Sequence, residues 1–213
     1  MSRSIFPEGV AVKGLPWCRD EVKILGPAAL VARNLCTTHN SQLSPLDKAA
    51  SGAWCGLAEF GEVSRVRAAI PRKWDRYTIR VDGLLLERWC LKVMCNLMPR
   101  ALPRLGGWEP PGELVNRIFG REPLPKGAGV ALLARLGEEH FNDARIQFEG
   151  VVRERSPLGA RLQFRALALA VTWDRPVQEF IRPHSSAGVG EEAVFHMISY
   201  LHKEANVELR FRW

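Results

Sequence analysis

The hydrophobic period of this chain changes near residue 126, and that change limits its possible folds more than any other feature. Before it, apolar residues recur at three- and four-residue steps, as in Leu46, Ala50, Ala53, Trp54, Leu57 and Phe60. After it come extended runs, Ile146 to Val152, Leu162 to Trp173, Ala193 to Tyr200 and Val207 to Trp213. The first period marks a helix with one buried face and the second marks strands. The expected fold class is therefore α+β, with a helical region over 1–125 and an antiparallel β-sheet region over 126–213.

Local signals place the helices. Ser44 suits an N-cap, Pro45 the first helical position and Asp47 the third residue of a capping box, so a helix should start sharply there and end near Gly61. Tyr77, Ile79 and Val81 alternate with Thr78 and Arg80 as a half-buried strand does, and Asp82-Gly83 turns into a helix from Leu84 to about Leu97, limited by Pro99 and Pro103. A shorter helix fits Pro111 to Phe119, with Gly120 just past its end and a linker to Gly127. Leu30 to Leu35 allows a short strand, with a helix from Pro27 as its rival. Ser156-Pro157-Leu158-Gly159 reads as a hairpin turn, and Asn206 as part of the last turn.

Composition narrows the function classes. Five cysteines at positions 18, 36, 55, 90 and 95 are an odd, irregular set that fits free thiols and a cytoplasmic setting better than a disulfide framework. Cys90 and Cys95 fit a helix as small core residues. The first residues lack a signal-peptide core, and Leu84 to Met98 is too short and too charged to span a bilayer, so no membrane partner is expected. A net charge of +7 permits a polyanionic partner, DNA or RNA, although the excess of 23 Arg over 7 Lys is equally the mark of a GC-rich genome. No Walker loop, G-x-S-x-G elbow or dinucleotide fingerprint is present.

Two groups of residues carry candidate chemistry. Arg65, Arg67, Arg72, Lys73, Arg76 and Arg80, interleaved with Trp74 and Tyr77, have the composition of a surface that neutralises phosphates and stacks bases; a solvated loop and strand edge is the alternative. Arg153, Arg155, Arg161, Arg165, Arg210 and Arg212 fall at even spacing on strands, which would give the sheet a positive face. The second group is Cys36 and His39, a C-x-x-H pair able to hold zinc, with Cys18 the only cysteine upstream; a buried Cys and a capping His are the alternative.

At Trp17-Cys18-Arg19-Asp20-Glu21, Leu35-Cys36-Thr37-Thr38-His39-Asn40-Ser41 and Leu43-Ser44-Pro45-Leu46-Asp47 the chain resembles a group of bacterial and phage proteins, mostly uncharacterised, that carry an HNH-type zinc finger. The similarity continues through Leu85-Leu86-Glu87-Arg88-Trp89, Lys92, Arg182-Pro183 and Trp213. The resemblance implies a remnant ββα-type finger in which Cys36 and His39 match the second ligand pair and Asn40 the terminal Asn or His. A C-x-x-C pair and a Glu-His dipeptide, which in that group precede a segment like Ser4-Ile5-Phe6-Pro7, have no match here. In HNH-type nucleases the missing His activates water beside a bound metal. The implied function is a nucleic-acid-associated protein related to these nucleases and catalytically inactive as written. The alternatives are a protein interaction or structural module built on the C-terminal sheet, and an endonuclease shortened by a late start codon.

Overall fold

In the computed structural model of the chain, the described residues are 10–12, 21–25, 37–101, 108–135, 141, 146–153, 156–177 and 199–213. They form four helices, α1 (Thr37–Gln42), α2 (Ser44–Ala68), α3 (Gly83–Ala101) and α4 (Gly112–Ile118). Nine strands complete the set: β1 (Val10–Val12), β2 (Lys23–Leu25), β3 (Tyr77–Asp82), β4 (Gly129–Arg135), β5 (Ile146–Arg153), β6 (Ser156–Phe164), β7 (Leu167–Thr172), β8 (Ser199–His202) and β9 (Val207–Arg212). The fold is α+β. No described helix is long and apolar enough to cross a membrane.

Helices α2 and α3 pack together, and the three- and four-stranded sheets lie on this pair. The antiparallel sheet β4-β7-β6-β5 rests on α3, whereas β3-β9-β8 rests mainly on α2. The stripe Leu46, Ala50, Ala53, Trp54, Leu57 and Phe60 is buried throughout, as its spacing requires. Trp54 and Trp89 meet Phe164 edge-on at 5.1 and 5.5 Å between ring centroids, and Phe60 touches Phe141 and Tyr200. One core therefore joins the helices to the three- and four-stranded sheets.

The pairing of β3 with β9 is parallel, Tyr77 opposite Val207 through Asp82 opposite Arg212, and β9 pairs antiparallel with β8. Strands β8 and β9 thus leave the four-stranded sheet and complete a separate one around β3. The inner side carries Ile79, Val81, Val207, Leu209 and Phe211; the outer side carries Thr78, Arg80, Glu208, Arg210 and Arg212. At its end Gly83 permits a close approach, because a Cβ there would lie 2.8 Å from the Arg212 carbonyl oxygen and 2.9 Å from the Trp213 ring.

Several boundaries differ from the sequence expectation. Ser44 is not the cap: Leu43 holds that position in an αR conformation, with no side-chain cap bond, because α1 already delivers a helical chain to it. Asp47 closes no capping box and turns instead toward α3, where it bonds Trp89 and Lys92. Helix α2 passes Gly61 and runs to Ala68, since Ser64 still faces the core and Glu62 pairs with Arg65 one turn on. Helix α3 likewise runs past Pro99 to Ala101; a proline in the last turn removes one backbone donor without stopping the chain. The run Leu162 to Trp173 is two strands, broken where Arg165 adopts φ 52°. Ser156 to Gly159 lies inside β6, with Ser156 opposite Arg153 and Pro157 opposite Val152, and is not the hairpin turn.

Other expectations agree. Tyr77, Ile79 and Val81 form a strand, Asp82 Oδ1 accepts the Leu85 amide at 2.9 Å to start α3, α4 ends before Gly120 at φ 70°, and Asn206 sits in the β8–β9 turn at φ 51°. Cys90 is buried and Cys95 half-buried; burial pushes both thiols up, that of Cys95 to about 12. Trp17 and the expected strand at Leu30 to Leu35 lie outside the described residues.

Candidate nucleic-acid interface

The segment from Arg65 to Arg80 spans the last turn of α2, a connecting loop and most of β3. Its eight candidate residues divide by what they already touch. Arg65 is exposed but bound to Glu62 at 2.7 Å; the guanidinium hydrogen bond holds the Glu62 carboxyl below its usual range and raises Arg65. Arg67 donates to the Asp75 carbonyl at 2.7 Å and to the Ala205 carbonyl at 3.3 Å, which fastens the helix end to the loop and to the β8–β9 turn. Arg72, Lys73, Arg76 and Arg80 have exposed side chains.

Both rings make contacts within the protein, Trp74 half-buried and Tyr77 exposed. Trp74 is half-buried, donates Nε1–H to the Arg67 carbonyl at 3.0 Å, and carries Arg72 at 3.5 Å and Arg67 at 4.9 Å from its ring centroid. Asn206 Nδ2 donates to the Trp74 carbonyl at 2.9 Å. The Tyr77 hydroxyl donates to Glu59, which pushes its own proton affinity up, and Arg67 lies 5.6 Å from its ring. The Trp74 indole thus adds a bond to the Arg67 carbonyl at the end of α2, which also accepts the Ile70 amide at 3.2 Å, and guanidinium groups lie over its ring.

The parallel register gathers further cations at the same place. Arg80 stands opposite Arg210, Arg212 follows two residues along β9, and all three are exposed. Arg210 grips Glu208 through Nε at 3.2 Å and Nη2 at 2.8 Å, while Arg76 Nη1 lies 4.0 Å from the same carboxylate. The Arg210 hydrogen bond is the main cause holding the Glu208 carboxyl below its ordinary range; burial opposes it, and Arg210's charge, Thr78 and Arg76 reinforce it. The sequence placed Arg210 and Arg212 on a face of the C-terminal sheet, and the fold moves them beside Arg76 and Arg80. Arg165 does not join any such face: it is buried, 4.1 Å over Trp54, and donates to the Phe141 carbonyl at 2.9 Å. Arg161 is paired with Glu149 at 3.6 Å, and Arg155 lies outside the described residues.

Of the three metal candidates, Cys18 and Cys36 lie outside the described residues. His39 is exposed on α1, its ring edge-on to Phe119 at 5.6 Å. Among the described residues no group of three or more His, Cys, Asp or Glu side chains is placed to hold a metal.

Residues that carried the sequence resemblance serve as fastenings. Asp47 Oδ2 meets Lys92 Nζ at 2.7 Å and Oδ1 accepts from Trp89 Nε1 at 3.2 Å, tying α2 to α3. Glu87 Oε1 accepts the Val130 amide at 3.0 Å, and the neighbouring Gly129, at φ 120°, leaves no room for a Cβ beside that carboxylate. Arg88 Nε donates to the Ile118 carbonyl at 2.8 Å, and burial lowers its guanidinium's proton affinity. No single sequence signal distinguishes such fastenings from site residues, since each bond joins elements at least 30 positions apart.

In comparisons with known proteins, no family model, no curated protein and no solved structure matches the chain.

Proposed function

We propose that this chain is a nucleic-acid-associated protein that contacts the phosphate backbone through the outer face of β3-β9-β8 and the loop before β3. The observation that carries the reading is the β3–β9 register, which sets Arg80 opposite Arg210 with Arg212 beyond and Arg76 at the near end. With Arg72 and Lys73 on the loop, six exposed cations lie on adjoining elements. Guanidinium groups on a strand are repeated about every 6.6 Å, so several can reach successive phosphates of one backbone. The coverage of the Trp74 ring by Arg67 and Arg72 favours contact with phosphates over stacking of bases on that ring.

The HNH relationship is proposed as ancestry rather than activity. It is supported by the motif at Cys36 to Asn40 and by the order β1, β2, α1, in which an antiparallel hairpin precedes the helix bearing His39. The reading is binding without cleavage, because no residue of this chain matches the water-activating His of such nucleases.

Fluorescence anisotropy with a 20-base-pair duplex tests the proposal. If four of the six cations meet phosphates, affinity should fall roughly 150-fold between 50 and 200 mM salt, following the counterion-release slope. Arg80→Gln, Arg210→Gln and Arg212→Gln together should flatten that slope by about 3. The same duplex should remain intact with magnesium, manganese or zinc. Binding undetectable at 50 mM salt, or a triple variant with the wild-type slope, would shift the reading to a protein interaction module. Exposed Val66 and Ile70 at the end of α2 are the observation that favours this second reading.

A further inference from the structure

At the middle of the outer face, groups from two strands and the preceding loop converge on one carboxylate. Arg210 of β9 donates to Glu208 Oε1 through Nε at 3.2 Å and Nη2 at 2.8 Å, and through Nη2 to Oε2 at 3.0 Å. Thr78 Oγ1 of β3 donates to Oε2 at 3.2 Å, and Arg76 Nη1 lies 4.0 Å from that oxygen. The Glu208 side chain is 6% exposed, yet the side chains of Arg76 and Arg210 are 53% and 47% exposed. The carboxylate thus lies beneath two guanidinium groups that still face solvent.

A pair of guanidinium groups with a hydroxyl is a donor set that receives a phosphate oxygen as readily as a carboxylate oxygen. We infer that Glu208 is a specificity-determining residue that occupies the seat of a phosphate oxygen, keeping Arg76 and Arg210 partly neutralised until a phosphodiester backbone engages the face. This rests on the reading above that the face binds nucleic acid. Glu208 is covalently attached, so it competes at a high effective concentration, and a single phosphate ion cannot match it. A polymer held at the same time by Arg80, Arg212 and the loop cations competes on equal terms. The carboxylate therefore selects a polyanion over a small anion.

Glu208→Gln tests this directly, because the amide keeps an acceptor for Thr78 and Arg210 and loses only the charge. Both guanidinium groups then become available to phosphate. The duplex salt slope should steepen by about 0.9, and if the two proteins converge near 1 M salt the variant should bind about 15-fold tighter at 50 mM. Inorganic phosphate, inert against the wild-type complex at millimolar concentration, should compete measurably in the variant. Adding Arg210→Gln should abolish the gain. Should Glu208→Gln fail to fold by circular dichroism, Glu208→Met fills a similar volume without charge and reports the same slope. Wild-type protein that binds duplex, with an uncharged Glu208 variant of unchanged slope and affinity, would overturn the inference and leave the proposed function standing. Absence of binding by both proteins at 50 mM would instead remove the proposed function itself.

Discussion

Replacing Asp47 by Ala removes a carboxylate that holds α2 to α3 from both of its oxygens. Trp89 is 1% exposed, so its indole N–H, bonded to Oδ1 at 3.2 Å, would be left facing a site that water reaches poorly. An unsatisfied buried donor costs about 1–3 kcal/mol. Lys92 Nζ, 2.7 Å from Oδ2 with its side chain 12% exposed, would lose a charge-assisted bond. Asp47 itself is 27% exposed, so water relieves part of the ammonium's loss. The sum expected for Asp47→Ala is about 2–4 kcal/mol, below the full total of both interactions. For a chain of this size that lowers the Tm by roughly 5–15 °C. Asp47→Asn keeps an acceptor for Trp89 and loses only the charge, so its cost should be about 1 kcal/mol. Urea unfolding followed by tryptophan fluorescence measures both, and a cycle with Lys92→Met isolates the ion pair. An unfolding free energy for Asp47→Ala within about 0.5 kcal/mol of wild type would refute the claim that this carboxylate fastens the helices.

The end of α2 should report on the indole of Trp74. Trp74→Phe keeps a ring for Arg72 and Arg67 but loses the bond to the Arg67 carbonyl, so stability should fall by about 1 kcal/mol, while the affinity for an abasic single strand should stay within twofold of that for the base-bearing strand in wild type and variant alike. A strong preference for bases that Trp74→Phe preserves and Trp74→Ala removes would show that the ring stacks on them after all. Acid should act through Glu208, which Arg76, Thr78 and Arg210 surround. Its carboxyl lies below the unfolded value, so its stabilisation is complete above about pH 4.5 and is lost as pH falls through the lower folded value. Wild type should therefore lose stability relative to Glu208→Gln on titration from about pH 5 to pH 3, and a constant difference over that range would contradict the ion pair.

The parts of this fold that were legible in the sequence are those decided within a few residues. The stripe from Leu46 to Phe60 is buried as spaced, and Asp82-Gly83 starts α3 because Asp82 reaches the Leu85 amide three positions on. Other features depend on partners too distant to be read locally. The break at Arg165 is supported by Trp54 and Phe141, and nothing between Leu162 and Trp173 signals it, since the run is almost wholly apolar. The candidate site shows the same division. Arg72, Lys73, Arg76 and Arg80 are as exposed as their charge suggests. Trp74 appeared free in the sequence because its spacing from Arg67 and Arg72 does not reveal that all three fold back over one helix end. The contribution of Arg210 and Arg212 required a parallel pairing between strands about 130 positions apart, which no local pattern encodes.

That pairing also sets a schedule for synthesis. Strand β9 is the middle strand of its sheet, and Val207, Leu209 and Phe211 fill the core against α2 with 0%, 1% and 4% exposure. Until residue 212 has left the ribosome, β3 lacks its sheet neighbour β9, and the backbone edge that β9 will cover is open to pairing with other chains. Helix α2 can form early from local contacts, but the part of its apolar stripe that meets this sheet stays uncovered for most of translation. At about 5–20 residues per second, the interval between β3 and β9 lasts roughly 7–26 s. During that time the nascent chain needs a holding chaperone or dilution, and a ribosome that stalls between them releases a product with its helices made and a strand unpaired.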